Sequence, residues 1–287
     1  MLFLIFAVTV RILSNSMANV YQKKLAAFGY NPSFINFVMY LGLSIFFCPL
    51  MLRQDYSGFG AAFWLFASAG GLCGALGNSY LVKALKKGEL SVLGPINAYK
   101  SVVAMIIGIF LLKEIPSLFG VFAVALIVVG SYFVFDTQDE GFSFKLLKRA
   151  DIRYRIYALV FTAVEALCIK NVINESDIVI SFIFWCVFGM LFTGLLSVKS
   201  GNINIFKNIR TVRYFALVVL FMGLMQITTN YVFSKMQVGY GLALFQLSAL
   251  VSVVLGWKYF KETNIIKKLF GTVIMVIGAV IITLLRV

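Results

Sequence analysis

Residues 109–114 read IFLLKE and residues 256–262 read GWKYFKE. In each, an apolar run stops at a lysine followed by a glutamate, and a glycine-containing apolar segment comes next. Lys113-Glu114 and Lys261-Glu262 stand 148 residues apart. The same spacing joins Ser33-Phe34-Ile35 to Ser181-Phe182-Ile183 and Gly130 to Gly278, while Lys23 precedes Lys170 by 147. Between them Asn78-Ser79-Tyr80 resembles Thr229-Asn230-Tyr231 and Gly88 resembles Gly239, both at 151. Matches in a fixed order at a near-constant offset mark an internal repeat.

Composition identifies the solvent. The 287 residues are 61% apolar and 13% charged, with a mean hydropathy of +0.97. A soluble domain carries about 45–50% apolar and about 25% charged residues, so the chain reads as an integral membrane protein. Arg11 interrupts the first apolar run and no small-residue cleavage site precedes a polar start, so this run reads as a membrane span rather than a signal peptide. Histidine is absent, which removes Ser-His-Asp triads, H-E-x-x-H zinc sites and His-ligated haem; no metal and no cofactor is expected. Cys48, Cys73, Cys168 and Cys186 lie in apolar runs without C-x-x-C spacing and read as free thiols.

A membrane-spanning helix needs about 20 predominantly apolar residues. That length fits ten segments: 3–26, 33–52, 60–85, 90–112, 116–135, 153–173, 178–198, 212–236, 240–260 and 265–286. The charged stretch 136–152 falls at mid-chain. The expected fold is therefore an all-α polytopic membrane protein with a five-helix repeat over 1–135, a linker over 136–152 and a second five-helix repeat over 153–287. An odd number of spans per repeat forces the two into opposite orientations. Such inverted repeats build secondary transporters, whose substrate site lies near the bilayer midplane between the halves.

The formal charge of +14 follows from the topology. Of the 25 Lys and Arg residues, 18 fall in connections after odd-numbered spans, Arg153 and Arg155 among them, and 5 on the other side. The positive-inside bias makes the first side cytoplasmic and places both termini outside. Nucleic acid is not needed to explain the charge.

Ten spans in two halves, a short basic end to the first span, and a fourth span closing in Leu111-Leu112-Lys113-Glu114 resemble the drug/metabolite transporter superfamily, in its EamA-type branch. The likeness covers essentially the whole chain. Tyr259-Phe260-Lys261-Glu262 fits the pattern less closely, and the proline that the family often carries midway along the fourth and ninth spans is represented by Pro95, near the start of the fourth. The resemblance implies cytoplasmic termini, against the charge bias, and both orientations stay open.

Charge inside a span is costly and is a functional candidate by default. Lys100 in the fourth span and Glu165 in the sixth are the deepest, with Arg11 higher in the first. Lys100 is expected to attract an anionic group of a substrate, and Glu165 to bind a cationic group or carry a coupling proton. Asn97 shares the helical face of Lys100 and Tyr99 faces partly away. Gln246 lies at a comparable depth in the ninth span. Asn78 and Tyr80 in the third span and Asn230 and Tyr231 in the eighth complete a polar set expected to bind substrate. Glu114 and Glu262, at helix ends, are expected to act as hinges and caps.

The function so implied is secondary transport of a small polar metabolite, an amino acid or similar zwitterion heading the candidates, by alternating access in a bacterial cytoplasmic membrane. The expected partners are the substrate, the lipid bilayer and a coupling proton, with no nucleic acid; monomer and homodimer are both open. A membrane-embedded enzyme or lipid-handling protein is the alternative, although the 136–152 loop offers as acids just Asp136, Asp139, Glu140 and Asp151 among basic residues. A channel fits less well, since the spans lack pore-lining rings of charge.

Overall fold

A computed structural model describes residues 2–56, 58–100, 102–103, 118–139, 143–198, 208–236 and 238–284. The described residues are mostly helical, with no strand among them. The first half contains α1 (Leu2–Ala27), α2 (Pro32–Met51), α3 (Ala61–Lys87), the single turn α4 (Leu90–Leu93) and α5 (Leu118–Phe135). The second contains α6 (Ala150–Glu175), α7 (Ile178–Ser197), α8 (Ile209–Lys235), α9 (Val238–Phe245), α10 (Ser248–Phe260) and α11 (Ile265–Leu284).

Eight segments among the described residues are long and apolar enough to cross a membrane, with α9 and α10 contributing one of them as Tyr240–Phe260. Of the other two expected spans, α11 is a 20-residue helix, and residues 101 and 104–112 of the fourth lie outside the described residues.

Local signals set the helix starts. Asn31 accepts from the Ser33 amide ahead of α2, with Pro32 in the first turn, and Asp177 accepts from the Val179 and Ile180 amides ahead of α7. Both supply acceptors to N–H groups that have no partner within the helix. Only 33–50% of each spanning window is buried within the protein. The remainder is apolar as well, because it faces lipid, so inner faces are distinguished by small and polar residues rather than by hydrophobicity.

The helices pack as a pseudo-symmetric set. α1 packs on α8 and α3 on α6, while α2 packs on α7 and α5 on α11. Exchanging each helix for its repeat counterpart turns the first contact into the second and leaves the other two unchanged. The agreement extends to single atoms. A Cβ at Gly130 would come within 2.6 Å of the Gly271 carbonyl oxygen, and a Cβ at Gly278 within 2.6 Å of the Ala123 carbonyl oxygen. Positions 123 and 271 are themselves 148 apart, so these are one contact made twice. Glycine is required there because the backbones of α5 and α11 touch.

Two expected spans are not continuous. The fourth passes from α4 through a 3₁₀ turn, Pro95–Ala98, before helix resumes at Tyr99. Pro95 lacks an N–H and its ring clashes with the preceding turn, so the α-helical ladder cannot run through it. The ninth breaks between α9 and α10 at Gln246 and Leu247, whose amides bond three residues back to Ala243 and Leu244. No proline marks that second break. The sixth span also starts earlier than expected, at Ala150, just after Arg149 forms a two-armed ion pair with Asp151.

Candidate functional site

The two breaks meet. Asn97 donates its side-chain amide to Gln246 Oε1 at 3.0 Å, and Asn97 Oδ1 accepts from Arg155 Nη2 at 2.9 Å. Arg155 Nε donates to the Leu93 carbonyl at 2.8 Å, on the last residue of α4. Breaking the fourth span frees this carbonyl from the helical ladder, and the guanidinium takes it.

Beside this junction lies a cavity of about 100 Å³, lined from both halves. Lys100, Arg155 and Glu165 border it, each 7% exposed, and Arg11 joins them from α1. The Arg11 guanidinium lies over the Phe245 ring with its carbon 3.9 Å from the centroid. Its Nε and Nη1 are buried and have no hydrogen-bond partner among the described residues. Lys100 makes no ion pair among the described residues.

Glu165 is held by packing and by one strong donor. Trp185 Nε1 donates to Glu165 Oε1 at 2.7 Å. Tyr40 packs its ring edge-on to Trp185 with centroids 4.7 Å apart, and its hydroxyl accepts from Asn78 Nδ2 at 3.2 Å. Gly74 on α3 makes the space: a Cβ there would come within 2.4 Å of the Glu165 carboxylate. Polar side chains from α1, α8 and α10, including Asn15, Asn19, Gln226, Thr229 and Ser248, continue the lining.

Of the candidates named from sequence, Arg11, Asn78, Asn97, Lys100 and Glu165 line this cavity. Gln246 sits behind Asn97. Asn230 is buried one turn from Gln226, accepting from its amide at 2.8 Å and donating to the Ile178 carbonyl at 3.3 Å. Tyr99 turns toward α5 and donates to Ser131 Oγ at 2.8 Å. Tyr80 stacks on Tyr154 and Phe161, and Tyr231 packs against Phe3, both away from the cavity. Trp185 is 3% exposed in the lining, whereas Trp257 is 56% exposed.

Arg155 is the residue that charge counting assigned to a cytoplasmic connection and that the fold brings inside. It lies more than a helical turn into α6, which the expected span start at 153 concealed. Asn15 and Asn19, four apart on one face of α1, were a readable signal.

Glu262 has a different setting. Its Oε1 accepts from Lys23 Nζ at 2.9 Å and from the Leu90 amide at 2.8 Å, and its Oε2 accepts from the Ser91 amide at 2.8 Å. The carboxylate thus meets the start of α4, in the opposite half, rather than the N-terminus of α11 that follows it. Burial opposes its ionisation, but the Lys23 charge and the bonds from Ser91 outweigh that, and its pKa falls below the usual carboxylate value. Lys268 bonds Glu89 and Ser91 nearby, and Lys267 pairs with Asp136. These contacts join the two halves at one end of the bundle. Glu114, with Lys113 and Pro116, lies outside the described residues.

Residues 2–136 match the EamA-like transporter family. That family is part of the drug/metabolite transporter superfamily and consists of transporters rather than enzymes; the chain, with eight long apolar helices among its described residues, is an integral, multi-pass membrane protein. No curated protein sequence matches the chain. A solved structure described only as "Crystal structure of protein" is similar in fold, with a TM-score of 0.62 at 12% identity over 96% of this chain and 97% of that one.

Proposed function

We propose that the protein is a secondary transporter that moves a small polar metabolite through the cavity between its halves by alternating access, without covalent catalysis. The observation that carries this reading is the cavity itself: buried charges and amides drawn from both halves, set beside two broken spans. Interrupted helices at the repeat interface are where transporters of this plan hold substrate. Residues 1–135 and 153–287 are the moving halves and 136–152 the linker. The pseudo-symmetric packing supports that division, since exchanging equivalent contacts between halves interconverts inward-open and outward-open states.

Lys100 and Glu165 in one cavity keep amino acids and related zwitterions as candidate substrates. Glu165 is the candidate coupling site, in a bacterial cytoplasmic membrane. Saturable counterflow of radiolabelled metabolites in liposomes tests the reading. A carrier accumulates label transiently against unlabelled solute inside, whereas a pore only equilibrates it. Non-saturable flux would reject alternating access.

A further inference from the structure

The charges around the cavity do not balance. Arg11, Lys100 and Arg155 line it, with Glu165 as the carboxylate among the described lining residues. A guanidinium stays protonated at any working pH. Two arginines against one glutamate therefore leave the cavity positive whatever protons Lys100 and Glu165 hold.

Neighbouring groups do not cancel this excess. The two bonds from Arg155 go to neutral acceptors, the Leu93 carbonyl and the Asn97 amide oxygen. Arg11 has an aromatic face beneath it and two buried nitrogens without partners among the described residues. Desolvated cations without anions are strongly disfavoured.

The repeat does not explain them either. At offsets of 147 or 148 the counterparts of Arg11, Lys100, Arg155 and Glu165 are Ala158, Ser248, Val8 and Ala18. The structural contacts of this fold come in symmetric pairs, and the charges do not. They are specific to what the cavity holds.

We propose that the substrate is a small carboxylic acid whose negative charges outnumber its positive ones, with a carboxylate received by Arg11 and Lys100. This rests on the carrier reading above. A neutral zwitterion would pair with one cation and with Glu165 and leave two cations bare, whereas an acidic amino acid or a dicarboxylate compensates more of the excess. The donors left open on Arg11 suit a planar carboxylate, which a guanidinium can hold by two parallel bonds. A cavity of about 100 Å³ suits a few-carbon acid.

The test uses the purified full-length chain, with binding measured by calorimetry and counterflow in liposomes. The probes are succinate, aspartate, alanine and lysine, with chloride and inorganic phosphate as simple anions. Succinate and aspartate are expected to bind at least about tenfold more tightly than alanine, as charge-assisted hydrogen bonds require, and to support counterflow. Arg11→Gln should lower their affinity about tenfold or more and narrow their advantage over alanine, and Arg11→Lys should restore part of it. Lys100→Gln provides the same comparison if Arg11→Gln is not recovered folded. Alanine or lysine bound and exchanged as well as the acids would overturn the inference and leave a carrier. Acids bound with the stated preference but never exchanged would uphold the inference and remove the carrier reading. Binding of chloride or phosphate alone, or unchanged acid binding in folded Arg11→Gln and Lys100→Gln proteins, would overturn it.

Discussion

Asn97 and Gln246, 149 residues apart, join the interrupted fourth and ninth spans through one amide hydrogen bond of 3.0 Å. Each is a polar residue at its own break, so the bond ties the two breaks together. Asn97 also accepts from Arg155, so the same side chain links the helix junction to a cavity cation.

Separating those roles calls for a double-mutant cycle. Asn97→Leu and Gln246→Leu, each alone and together, should show a coupling of about 0.5–1.5 kcal/mol in detergent unfolding, the range for hydrogen bonds between membrane helices. Asn97→Leu should lower counterflow more than Gln246→Leu, because it alone strips an acceptor from Arg155. Strict additivity, or equal transport losses, would break the link drawn here.

Glu262 should stabilise the fold through its charge. Its pKa in the folded protein is depressed, so the stabilisation is present above the unfolded carboxylate value of about 4.3 and is lost as pH falls through the lower folded value. Glu262→Gln is expected to melt at a lower temperature near pH 7, by the equivalent of about 1–3 kcal/mol for a hydrogen-bonded charge. The gap from the parent protein should close in strong acid. A gap that persists unchanged at low pH would assign the effect to shape instead of charge.

Gly130→Ala and Gly278→Ala should be similarly harmful, since each adds a Cβ within 2.6 Å of a carbonyl oxygen on the partner helix. Overpacking of this kind costs about 1–3 kcal/mol. Size-exclusion profiles and melting curves would check it. One substitution tolerated and the other not would mean that the two contacts are equivalent in position only.

Glu165→Gln keeps the acceptor for Trp185 Nε1 and removes the carboxylate that could carry a proton. If Glu165 couples transport to protons, the variant should lose pH-dependent uptake while retaining solute exchange at a constant pH. Uptake whose pH dependence survives the change would take that role away from Glu165.

Legibility in the sequence followed the physical scale of each signal. The spans could be read because lipid demands long apolar runs, and the repeat because equivalent contacts demand equivalent residues, as Gly130 and Gly278 show. The break at Pro95 was chemically visible, since proline interrupts a helical ladder wherever it falls inside one. The break at Gln246 was not, because nothing local compels it and the interaction with Asn97 is between halves. Tyr80, Tyr99 and Tyr231 were near the right depth but point elsewhere, a matter of helix rotation that apolar-all-round spans leave undetermined.

A membrane protein of two repeated five-helix halves, with charges too costly to be incidental, follows from the order of residues alone. Hydropathy is a property of the chain, and a repeat is a relation within it. It took the packed helices to group Arg155 with Arg11, Lys100 and Glu165 rather than with the loop charges, and to bring Glu262 to the start of α4 in the other half. Those groupings depend on which helix faces pack together, and in a bilayer packing is set by small residues and polar contacts between distant segments rather than by the apolar pattern along any one of them.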